Sequence, residues 1–119
     1  MNAEDRELLE LAAKAAGVRP PQSPHEGCIA NDGAFVFYLD CEGRSVRKWN
    51  PLEDDGDALR LAVNLRLYVS PNISGELAMV FGDIFSKTKT FFEPYGDDPC
   101  AATRRAIVRA AAEIGRRMA

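Results

Sequence analysis

Asp98 followed by Pro99 is the clearest helix-start signal in the chain, and the pattern that it opens continues to about residue 117. An Asp side chain accepts hydrogen bonds from free backbone N–H groups, and Pro at the first helical position loses no hydrogen bond there. At about 100° per residue, the apolar side chains fall on one side of this helix: Ile107, Ala111, Ile114 and Met118. A helix this long must bury such a side, so the rest of the chain has to cover it.

Two shorter helices are predicted upstream. The first covers residues 2–16, with Asn2 as its cap, Asp5 three positions later and Gly17 at its end. Its apolar stripe, widened by Leu9, is expected to contain Leu8, Leu11, Ala12 and Ala15. The second covers residues 58–65 and is capped by Asp54 or Asp55. Its expected apolar positions are Leu59, Ala62, Val63 and Leu65.

Aromatic and β-branched residues at 34–40 and 45–49 predict a β-hairpin. Both faces of its first strand are apolar, which indicates a sheet covered on both sides. A second strand pair is predicted at 67–70 and 76–81, and residues 84–92 fit either a fifth strand or a mobile flap. The three prolines within residues 18–26 predict an extended connection or binding loop.

The order of these elements predicts one α+β domain over residues 1–119, with three helices and a sheet of four or five strands. The sheet is expected to be mainly antiparallel or mixed and to lie in a three-layer helix/sheet/helix sandwich. The helix between residues 45 and 70 allows a right-handed crossover, which would make its flanking strands parallel. The expected core residues are Phe35, Phe37, Leu39, Trp49, Leu59, Val63, Ile107 and Ile114.

The formal net charge of -3 argues against the whole molecule as an electrostatic partner of nucleic acid or of an anionic membrane. No apolar run is long enough for a membrane span, and acids stand near the N-terminus, so a cytosolic protein is expected. Cys28, Cys41 and Cys100 lack the spacing of a disulfide framework or a zinc site, and His25 has no second ligand nearby. Common catalytic motifs are missing, so neither an enzyme nor a cofactor is predicted.

An acidic group is the first candidate site: Glu53, Asp54, Asp55 and Asp57. Clustered carboxylates attract hard cations such as Mg²⁺ and Ca²⁺, but the spacing does not match an EF-hand loop. Acids at a helix start also cap free N–H groups and offset the helix dipole, and this structural role is the favoured interpretation.

An arginine ridge, formed by Arg105, Arg109 and Arg116 on the polar side of the last helix, is the second candidate. These guanidinium groups could contact phosphates, although a solvated helix face is the commoner role of such a pattern. Residues 61–119 carry eight bases and six acids, whereas residues 1–60 carry seven bases and twelve acids. The charge asymmetry is too weak to indicate a nucleic-acid protein.

Three stretches together carry a family resemblance: RELLELAAKAAGV near the start, WNPLEDDGDALRLAVNLRLYV in the middle and ATRRAIVRAAAEIG at the end. They resemble a family of small tailed-phage and prophage accessory proteins, related in layout to the phage ABA sandwich domain. The resemblance covers about half of the chain and implies a helix, sheet, helix sandwich and a phage setting. It brings no catalytic residues with it.

A phage accessory protein of this size is expected to bind a host component in the host cytoplasm. The leading hypothesis is an anti-defence inhibitor, similar to an anti-CRISPR protein, whose acidic group covers a nucleic-acid site on a host effector. The alternative is a protein that sequesters a nucleotide signal through the arginine ridge. Homodimerisation is left open, and a metal-dependent enzyme built on the acidic group is the least favoured hypothesis.

Neither a metal nor a disulfide is predicted to support the fold, because no cysteine or histidine stands at the required spacing. The melting temperature should therefore stay the same when EDTA or a reductant is added. Differential scanning calorimetry with and without each reagent measures this. A fall of several degrees with EDTA would contradict the prediction and revive a metal site in the acidic group.

Overall fold

The computed structural model of the protein describes residues 3–17, 37–41, 45–70 and 75–118. Its elements follow one another in the order α1 (Ala3–Ala16), β1 (Phe37–Cys41), β2 (Ser45–Trp49), α2 (Asp55–Asn64), β3 (Tyr68–Ser70), β4 (Leu77–Ile84), β5 (Lys87–Pro94) and α3 (Pro99–Arg117). The fold is therefore α+β with three helices, as predicted. Asn2, His25, Cys28, Phe35, the connection over 18–26 and the first hairpin turn lie outside the described residues, as do the side chains of Phe37 and Leu39.

The helix boundaries follow local capping. The Asp98 carboxylate accepts a hydrogen bond from the Ala101 backbone N–H at 3.0 Å, and the predicted start of α3 is confirmed. Asp54 is the cap of α2, where it accepts from the Asp57 backbone N–H at 2.8 Å. Gly17 adopts a φ of 75° directly after α1, as the end of that helix requires. Within the described ranges, no helix has the length and apolarity needed to cross a membrane.

α3 is the element on which the others pack. α1 and α2 lie against it, and so do β4 and β5. Its buried side is built largely of small residues: Ala102, Ala106, Ile107, Val108, Ala110, Ala111, Ala112 and Gly115. Small side chains allow neighbouring backbones to approach closely, so this core depends on short distances between helices rather than on bulky anchors.

The backbones of α1 and α3 approach each other closely at Gly115. A Cβ atom added at Gly115 would lie 1.9 Å from the Leu11 carbonyl oxygen, which is a backbone atom and cannot rotate away. This contact places Leu9, Ala12 and Ala13 of α1 in the core. The buried side is therefore shifted by about one residue from the predicted stripe. Leu9 and Ala12 are buried as predicted, whereas Leu8, Leu11 and Ala15 are only half-buried.

The described strands form two antiparallel sheets. β1 pairs with β2 in the predicted hairpin, with Phe37 opposite Trp49, and β3, β4 and β5 form a three-stranded sheet in that order. Residues 87–94 are therefore a strand, which resolves the choice between a strand and a flap. β2 and β3 do not pair, so the parallel crossover is wrong. The described strands do not join in one sheet of four or five strands, and the three-layer sandwich is not confirmed.

The core prediction was wrong for two residues of α2. Trp49 and Ile107 are buried and Ile114 is half-buried, but Leu59 is 62% exposed and Val63 is 66% exposed. The reason is the orientation of α2, which buries Asp57, Ala58, Leu61 and Ala62. The Asp57 carboxylate accepts a hydrogen bond from the Asn50 backbone N–H at 2.9 Å, and this bond turns the side of α2 that carries Asp57 inward.

Gly115→Ala should lower the free energy of unfolding by about 1–3 kcal/mol, because α1 and α3 must separate to admit the methyl group. Alanine has a higher helix propensity than glycine, so a loss of stability can only come from this clash. Urea unfolding followed by circular dichroism measures the change.

Gly56→Ala is the matched control, since Gly56 also lies in a helix but a Cβ there meets only side-chain ends of Arg60 and Asp54 at 3.0–3.2 Å. That variant should change the free energy of unfolding by less than about 1 kcal/mol in either direction, because the higher helix propensity of alanine offsets a small displacement of the Asp54 cap. Equal effects of the two substitutions would show that the α1–α3 contact is looser than described.

Candidate functional site

Two of the four acids predicted as a site have a structural role at the start of α2. Asp54 caps the helix, and its carboxylate lies 3.8 Å from an Arg60 guanidinium nitrogen. Asp57 is 3% exposed and binds Asn50 through one oxygen and Arg60, at 2.8 Å, through the other. Their carboxylates bond to the protein itself, as the capping interpretation predicts. Asp57 is too buried to contact a partner.

Glu53 and Asp55 remain on the surface. Asp55 pairs with Arg104 of α3 at 2.7 Å, and Arg104 also donates a hydrogen bond to the Leu52 carbonyl oxygen at 2.8 Å. The Asp55 side chain is nevertheless mostly exposed. Glu53 is exposed and has no ion pair among the described residues. The described part of the chain contains no cluster of three or more side chains that could hold a metal ion.

The arginine ridge connects α3 to its neighbours. Arg105 binds Asp5 of α1 at 2.8 Å and also lies 3.4 Å from Glu4 and 3.8 Å from Glu93. The hydrogen bond from Arg105 to Asp5 raises the pKa of Arg105 above its ordinary value, against a smaller opposing effect of burial. Arg105 is therefore held between α1 and β5.

The other two ridge arginines are also paired. Arg109 binds the Glu93 carboxylate and donates to the Phe92 carbonyl oxygen at 2.9 Å, with its guanidinium above the ring of Phe91. Arg116 pairs with Glu113, one turn away, at 2.8 Å. All three cations pair with carboxylates of the fold, so a phosphate at this surface would compete with negative charge that is already in place.

Glu113 is the centre of a charge cluster that the sequence did not indicate. Its carboxylate accepts hydrogen bonds from Lys89 of β5 at 3.2 Å, from Arg117 at 2.9 Å and from Arg116. These bonds, led by that from Arg117, lower the pKa of Glu113 from 4.5 to about 2, although burial acts in the opposite direction. The cluster links the start of β5 to the end of α3.

An apolar pocket lies between the starts of α2 and α3. Its volume is about 350 Å³. It is lined by Asp55, Ala58, Leu59, Val69, Tyr95, Pro99, Cys100, Thr103, Arg104 and Ile107. Only Asp55 among the predicted site residues lines it, so we call it the α2–α3 pocket rather than the acidic site.

Sequence reasoning missed this pocket because it assigned Leu59 to the core. One signal was present: α2 has apolar residues at positions 58, 59, 61, 62 and 63, which is more than one buried stripe can accommodate. Such a surplus predicts an exposed apolar patch unless the helix is buried all round.

Two of the predicted site residues, Glu53 and Arg105, line a different and smaller cleft of about 230 Å³. Asp5, Asn50, Leu52 and Ala101 also line it.

Comparison with known proteins found no match to this chain among protein-family models, curated proteins or solved structures.

Glu113→Gln should lower the free energy of unfolding at neutral pH, because the variant loses the charge that pairs with Lys89, Arg116 and Arg117. The loss should be only about 1 kcal/mol, since these partners are partly exposed and solvent screens the interaction. A carboxylate whose pKa is lower in the folded state stabilises the fold above its unfolded pKa and loses that contribution as pH falls through the folded pKa. The difference between wild type and variant should thus be complete above about pH 5 and should shrink between pH 4.5 and about 2. Urea unfolding at a series of pH values measures it.

Glu10→Gln serves as the control, since Glu10 forms an exposed pair with Arg6 within one helix. Such pairs contribute little, so this variant should stay close to wild type across the series. A stability loss in Glu113→Gln that did not vary with pH would show that packing, not charge, is responsible.

Proposed function

We propose that this protein is a non-enzymatic binding module of a phage, which acts in the host cytoplasm by binding a basic host protein. The partner class is a nucleic-acid-binding defence effector, so the protein acts as an anti-defence inhibitor of the anti-CRISPR kind. The contact surface contains Glu53 and Asp55 at the start of α2. Asp54 orients them by capping the helix.

The observation that carries the proposal is the division of charges on the surface. Arg105 and Arg109 of the ridge pair with carboxylates of the same molecule, and Arg116 shares Glu113 with Lys89 and Arg117. Glu53, in contrast, has no cationic partner in the described ranges, and Asp55 is mostly exposed. Acids also precede Pro99 at the start of α3, where Asp97 and Asp98 are exposed. An acidic surface of this kind attracts the basic nucleic-acid site of an effector and competes with its ligand.

The nucleotide-sequestering alternative has less support. A phosphate group would meet the carboxylates that already pair with Arg105, Arg109 and Arg116, and like charges repel. We also propose, as part of the phage hypothesis, that the complete fold is a three-layer sandwich with a sheet of four or five strands. The α+β fold with three helices is compatible with it.

A plating assay tests the function directly. The protein is expressed in bacteria that carry an active nucleic-acid-targeting defence system, and the plating efficiency of a targeted phage is measured. Protection of the phage should be lost in Glu53→Lys combined with Asp55→Asn, because the acidic surface then no longer matches a basic partner. Asp54 and Asp57 are left intact because they hold α2 in place.

Glu7→Lys combined with Glu76→Gln is the control, since it changes the total charge by the same amount at exposed positions on other elements. This control should protect the phage as well as wild type does. Circular dichroism must show that both double variants fold. If wild type protects against none of the defence systems tested, or if both double variants behave alike, the proposal is wrong.

A further inference from the structure

The α2–α3 pocket combines an apolar interior with an open rim. Ile107 of α3 and Ala58 of α2 are buried, at 4% and 2% exposure, and form its floor. Leu59 and Val69 stand at the edge and keep much of their surface in water. Exposed Leu and Val side chains beside an apolar cavity lose water contact when a complementary apolar group enters, which favours binding.

The charges around the pocket define what can enter it. Acids stand at both helix starts that border it: Asp54, Asp55, Asp97 and Asp98. Two arginines lie near these acids, Arg60 and Arg104, and each already pairs with an Asp of α2. Even when the buried Asp57 is left aside, four acids against two bases give this surface a net negative charge.

We propose that the α2–α3 pocket holds an apolar side chain of a basic amphipathic segment in the partner protein. The inference rests on the proposed function and specifies how the partner is recognised. A Leu, Met or Phe side chain of the segment lies between Leu59, Val69 and Tyr95. Lysines or arginines on either side of that anchor lie towards Asp55 and Asp97.

The two parts of this surface have different effects. Burial of one large apolar side chain in a pocket contributes most of the affinity, since a few central anchors dominate interfaces. The acids at the rim increase the association rate and orient the segment, and salt weakens their effect. The pocket volume of about 350 Å³ lies at the lower end of the range for ligand sites, which suits one or two side chains.

Charge complementarity favours this occupant over others. A phosphorylated ligand would meet the acids of both helix starts at close range. A second copy of this chain would present the same acidic rim to itself in a symmetric contact, because such a contact places like patches together. A basic segment avoids both repulsions.

The experiment uses a dye-labelled peptide of 14 residues, designed as a helix with leucines on one side and lysines on the other. Fluorescence anisotropy measures its Kd for the full chain. Leu59→Gln should weaken binding at least about tenfold, because the polar side chain removes one wall of the anchor site. Val63→Gln should change the Kd less than about twofold, since Val63 is equally exposed on the same helix but does not line the pocket.

Cys100 gives an independent readout because it lines the pocket and is exposed. In a variant with Cys28→Ser and Cys41→Ser, the bound peptide should slow modification of the Cys100 thiol by a water-soluble reagent. A second peptide with alanines in place of the leucines should neither bind nor protect. A third, with glutamates in place of the lysines, should bind at least about tenfold more weakly.

The inference is overturned if the lysine peptide does not bind, if Leu59→Gln and Val63→Gln have equal affinity, if Cys100 stays unprotected, or if the glutamate peptide binds as well. The plating assay separates this result from the proposed function. Protection retained by Leu59→Gln leaves the anti-defence proposal intact and removes the pocket. Specific peptide binding without phage protection keeps the pocket and removes the anti-defence proposal.

Discussion

The backbone contact between α1 and α3 at Gly115 sets the spacing of the whole core. Because no side chain separates the Leu11 carbonyl from Gly115, the helices are close enough for alanines to fill the space between them. A core of small residues tolerates little displacement, since each methyl group lost or added is a large fraction of the packing at that point. The three-stranded sheet and α2 then take their positions from the other surfaces of α3.

Ion pairs also hold α3 against the elements that pack on it. The arginines of α3 bind acids on α1, on β5 and at the start of α2, so the longest helix is held to three neighbours by charge as well as by apolar contact. Isolated surface pairs contribute little, but these pairs are partly buried and share partners: Glu93 bonds to two arginines and Glu113 to three cations. Arg104, Arg105 and Arg109 are consequently paired with carboxylates of the same molecule, and the acids at the starts of α2 and α3 outnumber the arginines near them.

The candidate site follows from the orientation of one helix. Asp57 is held inward by the Asn50 backbone N–H and by Arg60, and this turns Leu59 and Val63 outward. The same rotation brings Leu59 beside Val69 and Tyr95, where the starts of α2 and α3 enclose the pocket. An apolar cavity bordered by helix-capping acids can recognise a basic amphipathic segment without any catalytic group.

The amino-acid sequence by itself determined the local features: the start of α3 at Asp98, the start of α2 at Asp54 or Asp55, the end of α1 at Gly17, and the first four strand segments. Capping bonds and strand alternation involve residues close in the chain, so their signals are readable without the fold. Only the tertiary structure decided that Arg105 and Arg109 bind acids distant in sequence, that the described strands form two sheets, and that α2 exposes Leu59 rather than buries it. Those outcomes depend on a buried hydrogen bond and on interhelical spacing between residues far apart along the chain, and such contacts leave no periodic signal in the sequence.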